Sequence, residues 1–304
     1  MSTDMSETGT QKHPARYTWG GDEFLFVEID EAMSLGANFT SNAMAAHLAA
    51  DEVTGIVDIC PANASLLIRF DPDVLPHREL EERLRRIEQE VQGESHPTLA
   101  TRVVEVPVWY DDPYTGATGA RFRKGHQRPE GNDLDFAAEE NNLASAGEFI
   151  ERHHSSPWLV SMVGFVAGLP FMFQLVPQEA QLEVPKYLSP RTDTPALTVG
   201  HGGCFACIYS VRGAGGYQMF GIAAAPIFDP AGELPDFANF MVFFKPGDIV
   251  KFTPIDEAEY LRIQAEVKEG TFTYRQAPVV FDLQLALTDP AAHNRQILEA
   301  LNGV

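Results

Sequence analysis

From Trp158 to Phe252 the chain is cut into short β-prone runs, Trp158–Phe165, Thr198–Tyr209, Tyr217–Ile222, Phe240–Phe244 and Asp248–Phe252, punctuated by glycine and proline. Strands this short hold together only by pairing within a doubled or closed sheet. The spacing therefore predicts an all-β barrel or sandwich here. Upstream the texture differs. Apolar strand-like runs at Phe24–Ile29, Ser65–Phe70 and Arg102–Tyr110 alternate with helical patterns. One pattern covers residues 40–50, with Thr40 or Ser41 as N-cap. In the other, Leu80, Leu84, Ile87 and Val91 make a single apolar stripe on a charged helix. That alternation describes a small α+β unit, a sheet packed on helices.

The expected organisation is a disordered tail over 1–15, an N-terminal α+β domain over 16–100, and a β-barrel domain over 101–304 with a helical insert at 132–154 and a C-terminal extension. Residues 111–131, rich in Gly, Pro, Asp and Arg, read as a long loop carrying a basic patch at Arg121, Arg123, Lys124 and Arg128. Leu134, Phe136, Ala137, Leu143, Phe149 and Ile150 point to two short helices that end near His153. The extension reads as a helix over Asp256–Val267, a strand-like run over Pro278–Leu285 and a helix near Asn294–Leu301.

Charge narrows the partners. Lys and Arg number 22 against 43 Asp and Glu, a net charge of −21, which repels phosphate backbones and anionic lipid. Nucleic-acid and membrane partners are therefore not expected. The most apolar stretch, Trp158–Val176, is interrupted by Gly164, Gly168, Pro170 and Gln174, so no membrane span is expected. Three cysteines cannot staple a chain of 304 residues, which fits a reducing, cytoplasmic setting.

Four motifs are candidates for chemistry. His201-Gly-Gly-Cys204-Phe-Ala-Cys207 contains the C-x₂-C spacing of a zinc site, but in a β-prone context residues three apart point to opposite faces. Gly213-Ala-Gly215-Gly216-Tyr217-Gln218 is either a hairpin turn or a place where a ligand approaches the backbone closely. In Val184-Pro-Lys186-Tyr187-Leu-Ser-Pro190-Arg191-Thr192 two prolines hold an extended segment. Lys186 and Arg191 there are either fixed donors for a carboxylate or carbonyl, or surface salt-bridge partners. His153-His154 closes a helix, as a cap favoured by the helix dipole or as part of a base site.

Several of these segments, in order, resemble the family of allophanate hydrolase subunit 1 and the 5-oxoprolinase B-type subunits. They are Gly20-Gly-Asp22, Pro61-Ala-Asn-Ala-Ser65-Leu-Leu-Ile, Val106-Pro-Val-Trp-Tyr110, Asn132-Asp-Leu134, His153 with Trp158-Leu-Val160, Gly164-Phe165 and Pro246-Gly-Asp248-Ile-Val-Lys-Phe252. Lys186-Tyr187, Pro190-Arg191-Thr192, Val199-Gly200, Cys207-Ile208-Tyr209 and Gly215-Gly216-Tyr217-Gln218 look like the urea carboxylase carboxyltransferase branch. The resemblance implies a C-terminal cyclophilin-like β-barrel and a homologous second subunit that completes the active site. It also implies biotin on a separate carrier, with a biotin carboxylase behind it and ATP used only by partner subunits.

On the same resemblance Lys186, Arg191 and the backbone near Gly215, Gly216, Tyr217 and Gln218 supply donors, and Tyr187, Tyr209 or His201 shape or deprotonate the substrate. His153 is a further binding candidate. The rivals it implies are an ATP-dependent lactam hydrolase of the 5-oxoprolinase kind and a non-catalytic inhibitor of a sensor kinase. Where the branch continues Gly-Arg-Thr, this chain has Gly221-Ile222-Ala223-Ala224. Gly164-Phe-Val-Ala-Gly168-Leu-Pro-Phe171 likewise lacks one proline and a tyrosine of the family pattern, and Leu197-Thr198 replaces a Gly-Ser pair. The pocket is thus expected to be altered, towards a substrate less polar than urea.

Overall fold

The computed structural model describes residues 14–304, which form two compact units, one ending at Leu99 and the other spanning Ala100–Val304. Residues 1–13 of the expected tail lie outside the described residues. Ala15 is already part of the first unit: it is buried, and its N–H donates to Glu88 Oε1 at 2.6 Å.

In the first unit, β1 (Arg16–Gly20) and β2 (Phe24–Glu28) form a hairpin, α1 (Leu35–Ala50) follows, β3 (Ile56–Pro61) and β4 (Ser65–Phe70) form a second hairpin, and α2 (His77–Gly93) closes the unit. The antiparallel sheet runs β1-β2-β4-β3. Leu25, Val27, Leu66, Ile68 and Phe70 alternate into the core with Met44, Leu48 and the Leu80-Leu84-Ile87-Val91 stripe. β1 and β3 lie outside the expected strands, because Trp19-Gly20 and Val57-Asp58 break the apolar alternation. The N-cap of α1 is Ser34, whose Oγ accepts Ala37 N–H at 3.0 Å, and not Thr40 or Ser41. Those two hydroxyls sit inside the helix and donate to the Gly36 and Ser65 carbonyls.

The second unit is a closed barrel. Its strands are β5 (Thr98–Tyr110), β6 (Trp158–Val163), β7 (Pro170–Gln174), β8 (Arg191–Thr194), β9 (Thr198–Gly202), β10 (Phe205–Ile208), β11 (Gly213–Gly215), β12 (Gln218–Ala223), β13 (Ile249–Pro254) and β14 (Gln276–Asp282). The order β12-β9-β10-β7-β6-β13-β5 closes on itself through β12–β5, and β14 extends from β5. β8 and β11 form a separate ribbon, and β13 pairs β5 in parallel. Val104, Val106, Trp158, Val160, Met172, Val199, Ile208, Phe220 and Phe252 fill the interior. Together the two units give an α+β protein with a cyclophilin-like barrel.

The helices of this unit are α3 (Pro113–Phe122), α4 (Asp133–Glu140), α5 (Ala146–Ser155), α6 (Glu257–Glu269), α7 (Leu283–Thr288) and α8 (Pro290–Glu299). α4 and α5 are the two expected helices of the insert. α3 replaces the first half of the expected 111–131 loop. Asp112 caps it by accepting the Tyr114 and Thr115 N–H groups, with Pro113 at the first position, while Gly116 and Gly119 hide its helical character. Phe240–Phe244 is no strand; one bridge, Val242 to Phe228, is all it makes. Likewise the run Pro278–Leu285 is a strand only as far as Asp282, whose side chain then caps α7.

Candidate functional site

The sheet β7-β10-β9-β12 has two faces, and the candidate residues divide between them. Alternation sends Val199, His201, Ala206, Ile208, Gln218 and Phe220 inward and Leu169, Cys207, Tyr209 and Tyr217 outward into a small separate cluster. Over the outer cluster runs the proline-bounded segment 184–190. It is pinned by Tyr187 N–H to Gly216 O at 2.8 Å, Ser189 N–H to Gly125 O at 2.9 Å and Gln127 Nε2 to Lys186 O. This brings Lys186, Tyr187, Arg191, Tyr209 and the Gly215–Gln218 backbone to one place.

Lys186 is exposed, its Nζ 5.1 Å from the centre of the Tyr217 ring. Arg191 is 1% exposed, with Cζ 4.5 Å over the Tyr187 ring. Arg191 is therefore not a surface salt-bridge residue. Burial raises the pKa of Tyr187, Tyr209 and Tyr217, so at neutral pH all three phenols keep their protons.

Two glycines let the outer cluster pack. A Cβ on Gly202 would lie 2.4 Å from Tyr217 Cδ1, and one on Gly215 would lie 2.4 Å from the Tyr209 hydroxyl oxygen. Both tyrosines thus lie directly on backbone. Gly202→Ala is expected to expel the Tyr217 ring and cost about 1–3 kcal/mol, read as a lower urea midpoint with the slope unchanged. A midpoint equal to the wild-type value contradicts this packing.

Beneath Tyr187 lies a network centred on Asp133 at the start of α4, a residue the sequence marked only through its resemblance motif. Tyr187 Oη donates to it at 2.8 and 2.9 Å, Met219 N–H at 2.9 Å and Arg123 Nη1 at 2.5 Å, and it is 5% exposed. His126 Nδ1 accepts Arg128 N–H at 2.8 Å, so Nε2 carries the proton and donates to Gln218 Oε1 at 2.9 Å. Burial lowers the His126 pKa, in keeping with this neutral tautomer. Gln218 Nε2 in turn donates to Pro185 O at 2.7 Å, which anchors the covering segment. A cleft of about 140 Å³ opens beside Asp133 between α3, α4 and β12, lined by Thr115, Gly119, Arg123, Asn132, Met219 and Phe220 among others.

The expected basic patch is dispersed. Arg123 is buried on Asp133, while Arg121 pairs with Asp193 and Arg128 with Glu139. The sequence missed Arg123 and His126 as site residues because nothing local distinguishes them from loop cations; the resemblance motif at Asp133 was the only available signal.

His201 and His153 lie apart from this group, inside the barrel, with ring centroids 6.2 Å from each other. His201 Nε2 lies 3.0 and 3.1 Å from the Leu182 and Gly203 carbonyls, so it is the protonated nitrogen. Burial pulls the His201 pKa to about 4. His153 Nδ1 meets Tyr110 Oη at 2.8 Å, and burial, reinforced by His201, His154 and Lys251, holds its pKa well below the usual histidine value. A neutral His153 does not act as a cationic cap. Trp158 Nε1 and Lys251 Nζ satisfy the last carbonyls of α5 instead.

Cys204 sits in the β9–β10 turn. Cys207 is buried in β10, where burial raises its thiol pKa, and no cluster of three metal-ligating side chains occurs among the described residues. Ile222 and Ala223, in place of the branch's Arg-Thr, pair with Trp109 and Val108 of β5 and are buried. Among the described residues no helix is long and apolar enough to cross a membrane.

Comparison with known proteins fits this architecture. The family described as carboxyltransferase domain, subdomain C and D, matches residues 15–238. Urea amidolyase of Saccharomyces cerevisiae is 27% identical over 88% of this chain, which spans 15% of that protein. The B-type subunit of the Bacillus subtilis 5-oxoprolinase is 28% identical over 79% of the chain, covering 92% of its own length. Among solved structures, the K. lactis urea amidolyase aligns with 95% of this chain and 17% of its own, at a TM-score of 0.76 and 25% identity. With the barrel, the insert helices and the ordered motifs in place, the chain belongs to the carboxyltransferase-domain family of subdomains C and D, related to urea carboxylase and to the B-type subunit of 5-oxoprolinase.

Proposed function

We propose that this chain is one subunit of a biotin-dependent carboxyltransferase that moves a carboxyl group onto the nitrogen of a urea-like or amide small molecule. A homologous barrel subunit contributes the opposite wall of the site. The observation that carries this reading is the convergence of Lys186, Tyr187, Arg191, Tyr209 and the Gly215–Gln218 backbone on one side of the barrel sheet.

Carboxybiotin, delivered by a separate carrier, supplies the carboxyl group. The residues present fit its demand for donors: Lys186 has an exposed ammonium, and Arg191 has unused N–H groups. The protonated phenol of Tyr209 orients a bound amide by donating to it, while Tyr187, whose proton is held by Asp133, shapes the pocket with its ring. Water is excluded by the buried aromatic cluster around Cys207. Ile222 and Ala223, which stand where the branch has Arg-Thr, lie inside the barrel and do not line this face. His201 and His153 act indirectly, by fixing β9 and α5.

The test is co-purification with the homologous partner subunit, followed by transfer of labelled carboxyl from carboxybiotin to a panel of ureas and amides. Transfer that falls about 10²-fold in Lys186→Ala is the expected result. ATP-driven lactam opening without biotin would replace this reading with the 5-oxoprolinase one. Inactivity combined with binding to a sensor kinase would replace it with the inhibitor reading.

A further inference from the structure

The guanidinium of Arg191 is the least satisfied charge on this face. Nε donates to Thr194 Oγ1 at 3.2 Å, but Nη1 and Nη2 are buried and make no hydrogen bond. Among the described residues no carboxylate forms an ion pair with it. The nearest acid of the network, Asp133, is taken by Arg123, with the Tyr187 hydroxyl between. The Tyr209 hydroxyl oxygen faces the guanidinium as a loose acceptor, too poorly placed to satisfy it, and also accepts Tyr217 N–H at 3.4 Å, so its own proton remains to donate. One hydroxyl cannot satisfy the four N–H bonds that Nη1 and Nη2 carry.

A buried cation left without a counter-ion is strongly unfavourable, so native structures pair it or give it a ligand. Here the fork is also held rigid, by Thr194 on one side and the Tyr187 ring beneath. Gly215, directly opposite Arg191 in the β8–β11 ribbon, carries no side chain, and its missing Cβ lets the Tyr209 hydroxyl lie on the backbone there.

We infer that Arg191 and Tyr209 form a binding site for a planar two-oxygen anion, a carboxylate or bicarbonate, built entirely by this chain. Both Nη groups point the same way along the fork and match two coplanar oxygens, a geometry that a lysine cannot reproduce. Tyr209 donates the third hydrogen bond. Two sources share this chemistry: a carboxylate fixed on the small substrate, or the one-carbon group in transfer. The assignment goes beyond the proposed carboxyl transfer and does not need it.

Thermal unfolding of the full chain tests the site directly. Sodium acetate, formate and bicarbonate are titrated separately, against sodium chloride and neutral acetamide at matched ionic strength. A saturable rise of several degrees in Tm with carboxylates or bicarbonate, absent with chloride and acetamide, is the expected result. Preference for acetate and formate assigns the site to a substrate carboxylate; preference for bicarbonate assigns it to the one-carbon group. Arg191→Met should abolish the rise while leaving the anion-free Tm equal or higher, since an unpaired buried charge is gone. Arg191→Lys should weaken apparent affinity at least tenfold. No anion-specific rise in the wild type, or an undiminished rise in Arg191→Met, overturns the inference. Carboxylate binding in a complex that transfers nothing would leave this site standing and remove the proposed function; transfer without anion binding would do the reverse.

Discussion

Asp133→Ala is expected to destabilise the Ala100–Val304 unit by about 3–5 kcal/mol, a large share of the 5–15 kcal/mol typical of a folded domain. The substitution removes the acceptor for three separate donors. Arg123 is 9% exposed, so its charge would stay behind, buried and unpaired. Tyr187 would lose the partner of its hydroxyl, and Met219 N–H would lose its acceptor in the barrel strand. Breaking one side of a buried pair costs more than removing both, so Arg123→Met combined with Asp133→Leu should recover much of the loss. Asp133→Asn keeps the volume but turns an amide N–H towards groups that are themselves donors, and it should fall between wild type and alanine. Urea unfolding midpoints at constant slope read all three. An alanine variant within about 1 kcal/mol of wild type would show that Asp133 does not organise this region. Because Tyr187 carries Arg191 on its ring, the alanine variant should also lose the carboxylate response, independently of how far the midpoint falls.

Much of this architecture was legible from the sequence because its signals are local. Leu80, Leu84, Ile87 and Val91 fall on one helical face whatever the tertiary context, and the short β-prone runs after Trp158 called for a closed or doubled sheet, although Phe240–Phe244 is not one of its strands. The site was only half legible. The proline-held segment singled out Lys186 and Arg191, yet nothing local says that one is exposed and the other fully buried. That difference arises when Arg191, opposite Gly215 in the β8–β11 ribbon, is stacked on Tyr187 from the covering segment. The Asp133–Arg123–Tyr187–Met219 network joins residues up to 96 positions apart and has no signature in any window of the chain. Adjacency in sequence is not adjacency on one face either. His201 stands three residues from Cys204, but β alternation turns it to the opposite face from Cys207, into the barrel.

The barrel interior should make this protein acid-labile well above the pH at which its carboxylates titrate. His201 is held at about 4, against 6.5 for a free imidazole, and His153 is lowered in the same direction. A histidine with a depressed native pKa binds its proton more readily in the unfolded chain. Its stabilisation is therefore complete above about pH 6.5, declines as pH falls below that value and is exhausted once pH passes through about 4. His201 alone accounts for about 3 kcal/mol over that window, and His153 adds to it. The cost is physical: a proton on His153 would sit among Trp158, Phe220 and Phe252, beside Lys251 and His154, and one on His201 would face Trp158 and Phe220. Among the described residues no carboxylate forms an ion pair with either. Asp112, whose pKa burial raises, opposes the trend but only near the carboxylate range. Chemical unfolding at pH 7.5, 6.5, 5.5 and 4.5 should therefore give a steady fall in stability on acidification. His201→Gln places an amide donor near the Leu182 and Gly203 carbonyls but takes up no proton, so it should start less stable at pH 7.5 and lose less on the way down. Stability that stays flat or rises between pH 6.5 and 4.5, or a slope unchanged in His201→Gln, would mean that the imidazole is not kept neutral by the barrel.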